Sequence, residues 1–97
     1  MKDNEFRGKE IKFTNHAEKR MLERDIANHD VVAVAARPED ILYDTFTGRE
    51  ILVDYSRNVA VICEESADMI VVVTVLYSKN LKDLVKRRIN SGRWIKW

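Results

Sequence analysis

A histidine and two arginines recur at four-residue intervals near the start of the chain, as His16, Arg20 and Arg24. Residues four apart on an α-helix lie about 40° apart around its axis, so the three side chains would project as one row. Histidine is the side chain best suited to proton transfer near neutral pH, and arginine carries a permanent planar charge. The row therefore predicts a place where protons are transferred beside fixed positive charge.

A structural role is the alternative for the same row. The two arginines would pair with nearby carboxylates and His16 would cap a loop, with no chemistry involved. The carboxylates available for such pairing are Glu23, Asp25 and Asp44. Both interpretations remain open from the sequence.

Other chemistries lack their usual motifs in this chain. It has no Walker loop, no glycine-rich dinucleotide fingerprint, no H-E-x-x-H and no serine nucleophile elbow. Its two histidines occur without a cysteine or carboxylate cluster, and Cys63 is the single cysteine. We therefore expect neither a metal ion nor another cofactor. A lone cysteine also excludes an internal disulfide and favours a reducing compartment.

The longest apolar stretch contributes the second set of candidates. Met69–Tyr77 has the sequence M-I-V-V-V-T-V-L-Y, which predicts a strand buried on both faces. Its polar exceptions, Thr74 and Tyr77, are candidates for functional side chains. In the structural alternative, Thr74 is simply a good strand former and Tyr77 caps the end of the strand. Side chains alternate along a strand. The predicted faces are Val71, Val73, Val75 and Tyr77 on one side, and Ile70, Val72, Thr74 and Leu76 on the other.

Shorter patterns around that strand predict the fold. A first helix extends from Thr14 or Asn15 to about Asp25, and a second extends from Asn28 to Pro38. Three further strands, at residues 41–43, 49–55 and 59–63, have connections short enough to join only antiparallel neighbours. We therefore predict an α+β domain with two N-terminal helices packed on one face of an antiparallel four-stranded sheet, plus a basic C-terminal helix.

Length and composition limit the organisation of the chain. Its 97 residues, 45% of them hydrophobic, suffice for one domain, and residues 1–10 are expected to form a flexible start. The chain begins with charged residues and holds no apolar run long enough to cross a bilayer. A cytoplasmic location with no membrane partner is the expectation.

Basic residues are concentrated at the C-terminal end. From Lys79 onward, seven basic residues against Asp83 alone give a net charge of +6, while the preceding residues carry −5. Such segregation favours an anionic partner. Tryptophans among cations suit stacking on a single nucleic-acid strand, and a tail that docks its tryptophans on the body or on a second subunit is the alternative. The candidate nucleic-acid-binding residues are Lys79, Lys82, Lys86, Arg87, Arg93 and Trp94.

These motifs occur in the order of a known family. The row on the first helix is followed by Ile26 and Val31, by Pro38 and Glu39 before the sheet, and by the closing V-V-V-T-V-L-Y. In this order the chain resembles DUF4258, a bacterial domain-of-unknown-function family grouped with RelE/ParE-like toxins. The similarity extends from about Phe13 to Tyr77. Family members usually stop shortly after the last strand, so the basic C-terminal helix is extra.

The larger grouping, which includes barnase-like and colicin-like nucleases, implies an α+β fold that cleaves RNA without a metal. Such cleavage needs a base for the 2′-hydroxyl, an acid for the leaving 5′-oxygen, and cations for the developing charge. The candidate catalytic residues are His16, Arg20, Arg24, Thr74 and Tyr77. The implied partners are RNA, naked or ribosome-bound, and a cognate antitoxin or immunity protein. The second hypothesis is a non-catalytic nucleic-acid- or protein-binding module.

Overall fold

A mixed β-sheet with helices on both faces organises the part of the chain that the computed structural model describes, which is residues 5–6 and 9–96. The α+β class is confirmed. The described helices are α1 (Asn15–Glu23), α2 (Asn28–Ala36) and α3 (Leu81–Asn90). The described strands are β1 (Glu5–Phe6), β2 (Lys9–Phe13), β3 (Asp40–Asp44), β4 (Glu50–Asp54), β5 (Val59–Glu65), β6 (Met69–Tyr77) and β7 (Trp94–Lys96). None of the described helices has the length and apolar character needed to cross a membrane.

The order of strands across the sheet is β1-β2-β6-β5-β4-β3-β7. Strands β3 to β6 form the predicted antiparallel meander, and β6 is an interior strand as expected. The prediction of a four-stranded sheet was too small, because β2 adds to β6 in parallel and β7 adds to β3. Both additions join residues far apart in sequence, so no short turn in the sequence indicates them.

The start of the chain differs from the expected flexible segment. Residues 5–6 pair with residues 9–10 as an antiparallel extension of the sheet. The ammonium of Lys9 forms an ion pair with Glu65, which ties β2 to the end of β5. Residues 1–4, 7 and 8 of the predicted flexible start lie outside the described residues, as does Trp97.

Thr14, the residue before α1, connects that helix to the middle of β6. Its hydroxyl accepts a hydrogen bond from the Ala17 amide at 3.0 Å, which is the usual N-cap interaction. The same hydroxyl donates to the Val73 carbonyl at 2.8 Å, and the Thr14 amide donates to the Val72 carbonyl at 3.0 Å. Helix α1 therefore begins at a fixed point on β6.

Each face of the sheet has its own apolar core, as the apolar character of β6 on both sides requires. Helices α1 and α2 cover one face, where Ala17, Met21, Val31 and Val34 pack on the sheet. Helix α3 covers the other face through Leu81 and Val85, and Trp94 of β7 belongs to this second core. The two faces are called below the α1 face and the α3 face.

A β-bulge in β6 changes which residues share a face. Ile62 pairs with Thr74 and Cys63 pairs with Val72, so Val73 has no partner in β5. The predicted uninterrupted alternation was therefore wrong, because the extra residue shifts the phase by one. Residues facing the α1 face are Ile70, Val72, Val75 and Tyr77, whereas Thr74 and Leu76 face the α3 face.

Candidate functional site

A cavity of about 220 Å³ opens on the α1 face where the end of α1 approaches the end of β6. Buried Ile26 and Val59 contribute its apolar wall, and charged side chains surround them. Its lining residues are Arg24, Asp25, Ile26, Asp30, Arg57, Val59 and Tyr77. We call it the arginine cavity. Two of the predicted catalytic residues, Arg24 and Tyr77, therefore lie at one site.

The rest of the histidine–arginine row extends away from this cavity along α1. Because a helix rises about 1.5 Å per residue, His16 lies about 12 Å from Arg24 along the axis, with Arg20 halfway. His16 is exposed near the start of α1. Arg20 is 4.0 Å from Glu23, and its Nε is buried without a hydrogen-bond partner among the described residues. The row is thus a line of basic side chains that enters the cavity at one end.

Thr74 lies on the other side of the sheet from this row. It pairs with Ile62, whose side chain packs in the core beneath α3. Residues three apart in a strand face opposite sides, so Thr74 and Tyr77 cannot line one cavity. The structure does not bring Thr74 into the candidate site.

Arg57, which the sequence interpretation missed, is the second arginine of the cavity. Its Nη1 donates a hydrogen bond to the Asp54 carboxylate at 2.8 Å. Asp54 is buried and also accepts from the Ser56 hydroxyl at 2.6 Å and from the Arg57 amide at 3.0 Å. The only local signal was the D-Y-S-R-N turn, which predicts a loop but not the direction of its arginine.

The charge of Asp54 is what holds Arg57 in place. Burial alone would raise the pKa of Asp54, but the hydrogen bonds from Ser56 and from the amide and guanidinium of Arg57 outweigh it and lower the pKa to about 2. Asp54 is therefore ionised at neutral pH, and its partner Arg57 remains at the edge of the cavity.

The predicted basic surface begins at a second cavity, of about 250 Å³, at the start of α3. The Lys82 ammonium lies 5.8 Å from the centroid of the Tyr55 ring. We call it the lysine cavity, and its lining residues are Tyr55, Asn58, Lys79, Asn80, Leu81, Lys82 and Asp83. Lys86 and Arg87 follow on the exposed side of α3, where neither has an ion pair within the described part of the chain.

Arg93 and Trp94, also predicted to bind nucleic acid, have structural surroundings instead. Trp94 is only 3% exposed, because β7 pairs with β3 and turns the indole into the core. The structure thus contradicts the prediction that Trp94 stacks on a base, and agrees with the docked-tail alternative. The Nε of Arg93 is 3.3 Å from both carboxylate oxygens of Asp44, and its guanidinium lies 4.7 Å from the Phe46 ring centroid.

Asp44 explains why Arg93 is fixed. Burial alone would raise the pKa of Asp44, but hydrogen bonds from the Phe46 and Thr47 amides and from Arg93 lower it below its usual value. This buried carboxylate has its cation supplied by the chain itself. No cluster of three or more potential metal ligands occurs among residues 5–6 and 9–96.

Comparison with known proteins assigns the larger part of the chain to a family. The family model described as "Domain of unknown function (DUF4258)" matches residues 13–77. That span runs from the end of β2 to the end of β6 and contains the whole arginine cavity. Helix α3 and strand β7 lie beyond it. No curated protein and no solved structure matches the chain.

Proposed function

The chain belongs to the DUF4258 family of domains of unknown function, and from that premise we propose that it is a RelE-like endoribonuclease that cleaves RNA without a metal ion. The observation that carries the proposal is that Arg24, Arg57 and Tyr77 line the same open cavity. A hydroxyl that can exchange a proton thus lies beside two permanent cations, and RNA cleavage requires both kinds of group.

The cavity suggests a role for each side chain. In the proposed reaction the 2′-oxygen attacks phosphorus and the bond from phosphorus to the 5′-oxygen breaks. The carboxylate of Asp25 takes the 2′-hydroxyl proton, and the phenol of Tyr77 protonates the leaving 5′-oxygen. Arg24 and Arg57 stabilise the charge that develops on the phosphate oxygens. The products are a 2′,3′-cyclic phosphate and a 5′-hydroxyl.

His16 and Arg20 have a different role in this proposal from the one expected from sequence. A general acid or base must come within about 3 Å of its proton. His16 lies about 12 Å along α1 from Arg24, so it does not act on the phosphate bound there. Steps of about 6 Å along the row are comparable to the separation of successive phosphates in an RNA strand. We assign His16 and Arg20 to phosphates beside the cleaved one.

A cleavage assay tests the proposal. Purified protein is incubated with labelled RNA, naked or ribosome-bound, in excess EDTA, and the products are examined for a 2′,3′-cyclic phosphate. Tyr77→Phe should lower the rate by about a hundred- to ten-thousand-fold, the usual contribution of proton transfer. His16→Ala should raise KM and leave kcat nearly unchanged.

Tyr43→Phe is the matched control, because Tyr43 is 37% exposed and Tyr77 38%, and Tyr43 is absent from the arginine cavity. The control should cleave at the wild-type rate. No cleavage of either RNA, or equal losses in the two tyrosine variants, would contradict the proposal.

A non-catalytic RNA-binding module is the second candidate. It is favoured by the separation of His16 from Tyr77 and by the cations around the lysine cavity. In that case no variant would change a cleavage rate, and RNA affinity would depend on Lys82 and Lys86. The toxin grouping adds a cognate antitoxin to the first candidate only, and co-purification of a neighbouring gene product with the protein would test for it.

A further inference from the structure

The arginine cavity and the lysine cavity lie on the two faces of the sheet at one end of its interior strands β4, β5 and β6, and we call this end the edge below. The turn between β4 and β5 and the connection between β6 and α3 form this edge. Consecutive residues of the turn belong to different cavities, with Arg57 in the first and Asn58 in the second. In the connection, Tyr77 lines the first cavity and Lys79 lines the second. The two cavities therefore share these two backbone segments as parts of their walls.

Hydrogen bonds hold the two segments of the edge together. The Ser78 amide donates to the Asn58 carbonyl at 3.1 Å, and the Asn58 amide donates to the Tyr55 carbonyl at 3.2 Å. Asn58 has a φ of 57°, a left-handed conformation that asparagine tolerates better than most residues. The buried Asp54 carboxylate ties down the same turn through Ser56 and Arg57. The edge therefore has a defined shape.

Cations continue across this edge from one face to the other. Arg24 and Arg57 line the arginine cavity, and Lys79 and Lys82 line the lysine cavity. Carboxylates are present as well, namely Asp25 and Asp30 in the first cavity and Asp83 in the second, and Asp30 accepts a hydrogen bond from the Ala27 amide.

Each cavity also offers an aromatic ring. Tyr77 is 38% exposed in the first, and Tyr55 lines the second with its hydroxyl bound to Asp40 at 2.7 Å. Rings alternating with cations are the usual surface for a single nucleic-acid strand, since bases stack and phosphates pair with charge.

We propose that one single strand of RNA crosses the edge and occupies both cavities at once, with the basic side of α3 binding the part of the strand that is not cleaved. This inference rests on the proposed function and adds the form of the substrate to it. The path turns from one face of the sheet to the other around these two backbone segments. A double helix is too stiff for such a turn, whereas a single strand bends freely.

Fluorescence anisotropy with 2′-O-methyl RNA tests the path separately from cleavage, because the blocked 2′-oxygen cannot attack. Two labelled single strands of about four and about ten nucleotides cover the usual range of site sizes. The longer strand should bind one to one and more tightly than the shorter one. A duplex of the longer sequence should bind less tightly than the single strand.

Variants on both sides of the edge should affect the same binding curve. Arg24→Ala and Lys82→Ala should each flatten the dependence of log K on log salt by about 0.7, and the double variant by about 1.4. Lys12→Ala is the control, since Lys12 is an exposed lysine on β2, paired with Val71 in the first half of β6. It should leave the slope unchanged. Thermal melting of each variant confirms that the fold is intact.

Two outcomes would overturn the path. The first is that the longer strand binds in two separate phases, each removed by only one variant, which would mean two independent sites. The second is that Lys82→Ala leaves the binding curve unchanged. Either result can occur while native RNA is still cleaved. Conversely, one strand can occupy both cavities in a protein that does not cleave native RNA. Failure of the path and failure of the proposed function are therefore distinguishable.

Discussion

Helices α1 and α3 are both short, both carry exposed cations, and each covers one face of the sheet, yet their cations have different surroundings. The row on α1 ends in a cavity that contains Tyr77 and a second arginine. The cations on and around α3 differ among themselves. Lys79 and Lys82 line a cavity, Lys86 and Arg87 are exposed, and Arg88 with Arg93, which follows the helix, contacts Trp94, Asp44 and Phe46.

The comparison shows that the surroundings of a cation depend more on its position relative to the ends of β4, β5 and β6 than on the local density of charge. Beside Tyr77, Arg24 and Arg57 both line an open cavity, although Arg57 also binds the buried carboxylate of Asp54. At the end of α3, cations neutralise a buried carboxylate and cover aromatic rings, which keeps β7 on the sheet. The basic C-terminal segment therefore consists of a part whose cations line an open cavity and a part whose cations have a structural role.

The largest expected effect tests whether the apolar core on the α1 face is fully buried as far along β6 as the bulge at Val73. Val72 is 1% exposed beneath α1 and α2, so Val72→Asp would bury an unpaired charge and lower the free energy of unfolding by about 4 kcal/mol or more. Val73→Asp, one residue later at the half-buried bulge, should cost about 1 kcal/mol. Urea unfolding measures both. Equal costs would mean that β6 has no bulge.

A smaller effect tests the turn that presents Arg57. Asp54→Asn removes a buried charge whose pKa lies near 2 in place of 3.8, and should lower the free energy of unfolding by about 2 kcal/mol at neutral pH. Because folding lowers this pKa, the charge of Asp54 stabilises the fold at every pH above the pKa of the unfolded state. This stabilisation is lost as the pH falls from about 4 to about 2. The difference in the free energy of unfolding between wild type and variant should therefore disappear over that pH range.

Urea unfolding across the acid range measures this difference. Asp68→Asn, a change at an exposed carboxylate before β6, is the control and should run parallel to wild type at every pH. A gap that stays constant down to the lowest pH would show that the charge of Asp54 does not stabilise the turn.

The smallest effect separates the two kinds of cation directly. Arg93→Ala leaves Asp44 without its guanidinium and should lower the free energy of unfolding by about 1 to 2 kcal/mol, with no change in the salt dependence of RNA binding. Arg24→Ala should do the reverse, with a stability change within about 0.5 kcal/mol. Unfolding and anisotropy on the same samples provide both numbers. The opposite pattern would reverse the roles of the two regions.

Features with strong local patterns were predictable from the sequence. The apolar run of β6, the short turns of the meander and the four-residue repeat on α1 each depend on neighbouring residues. The pairing of β2 with β6, and strand β7 as a whole, were not predicted, because the partner strands lie far away in the chain.

The candidate site was predicted only in part, for a similar reason. Arg24 and Tyr77 followed from helix and strand spacing. Arg57 depends on how a turn folds over a buried aspartate, and Trp94 has the same sequence pattern whether it stacks on RNA or packs in a core. Valine runs look alike with and without a bulge, so the faces of Val73, Val75 and Tyr77 could not be settled from alternation alone.

The extra residue at Val73 decides which face of the sheet each later residue of β6 occupies. Because faces alternate with a period of two, a regular strand of the same sequence would turn Tyr77 toward α3, and the extra residue returns it to the α1 face. The same point holds Thr14 and the first turn of α1. Changes of length in the loop before β6 lie upstream of this point, whereas pairing the same residues without the bulge would separate the tyrosine from its arginines.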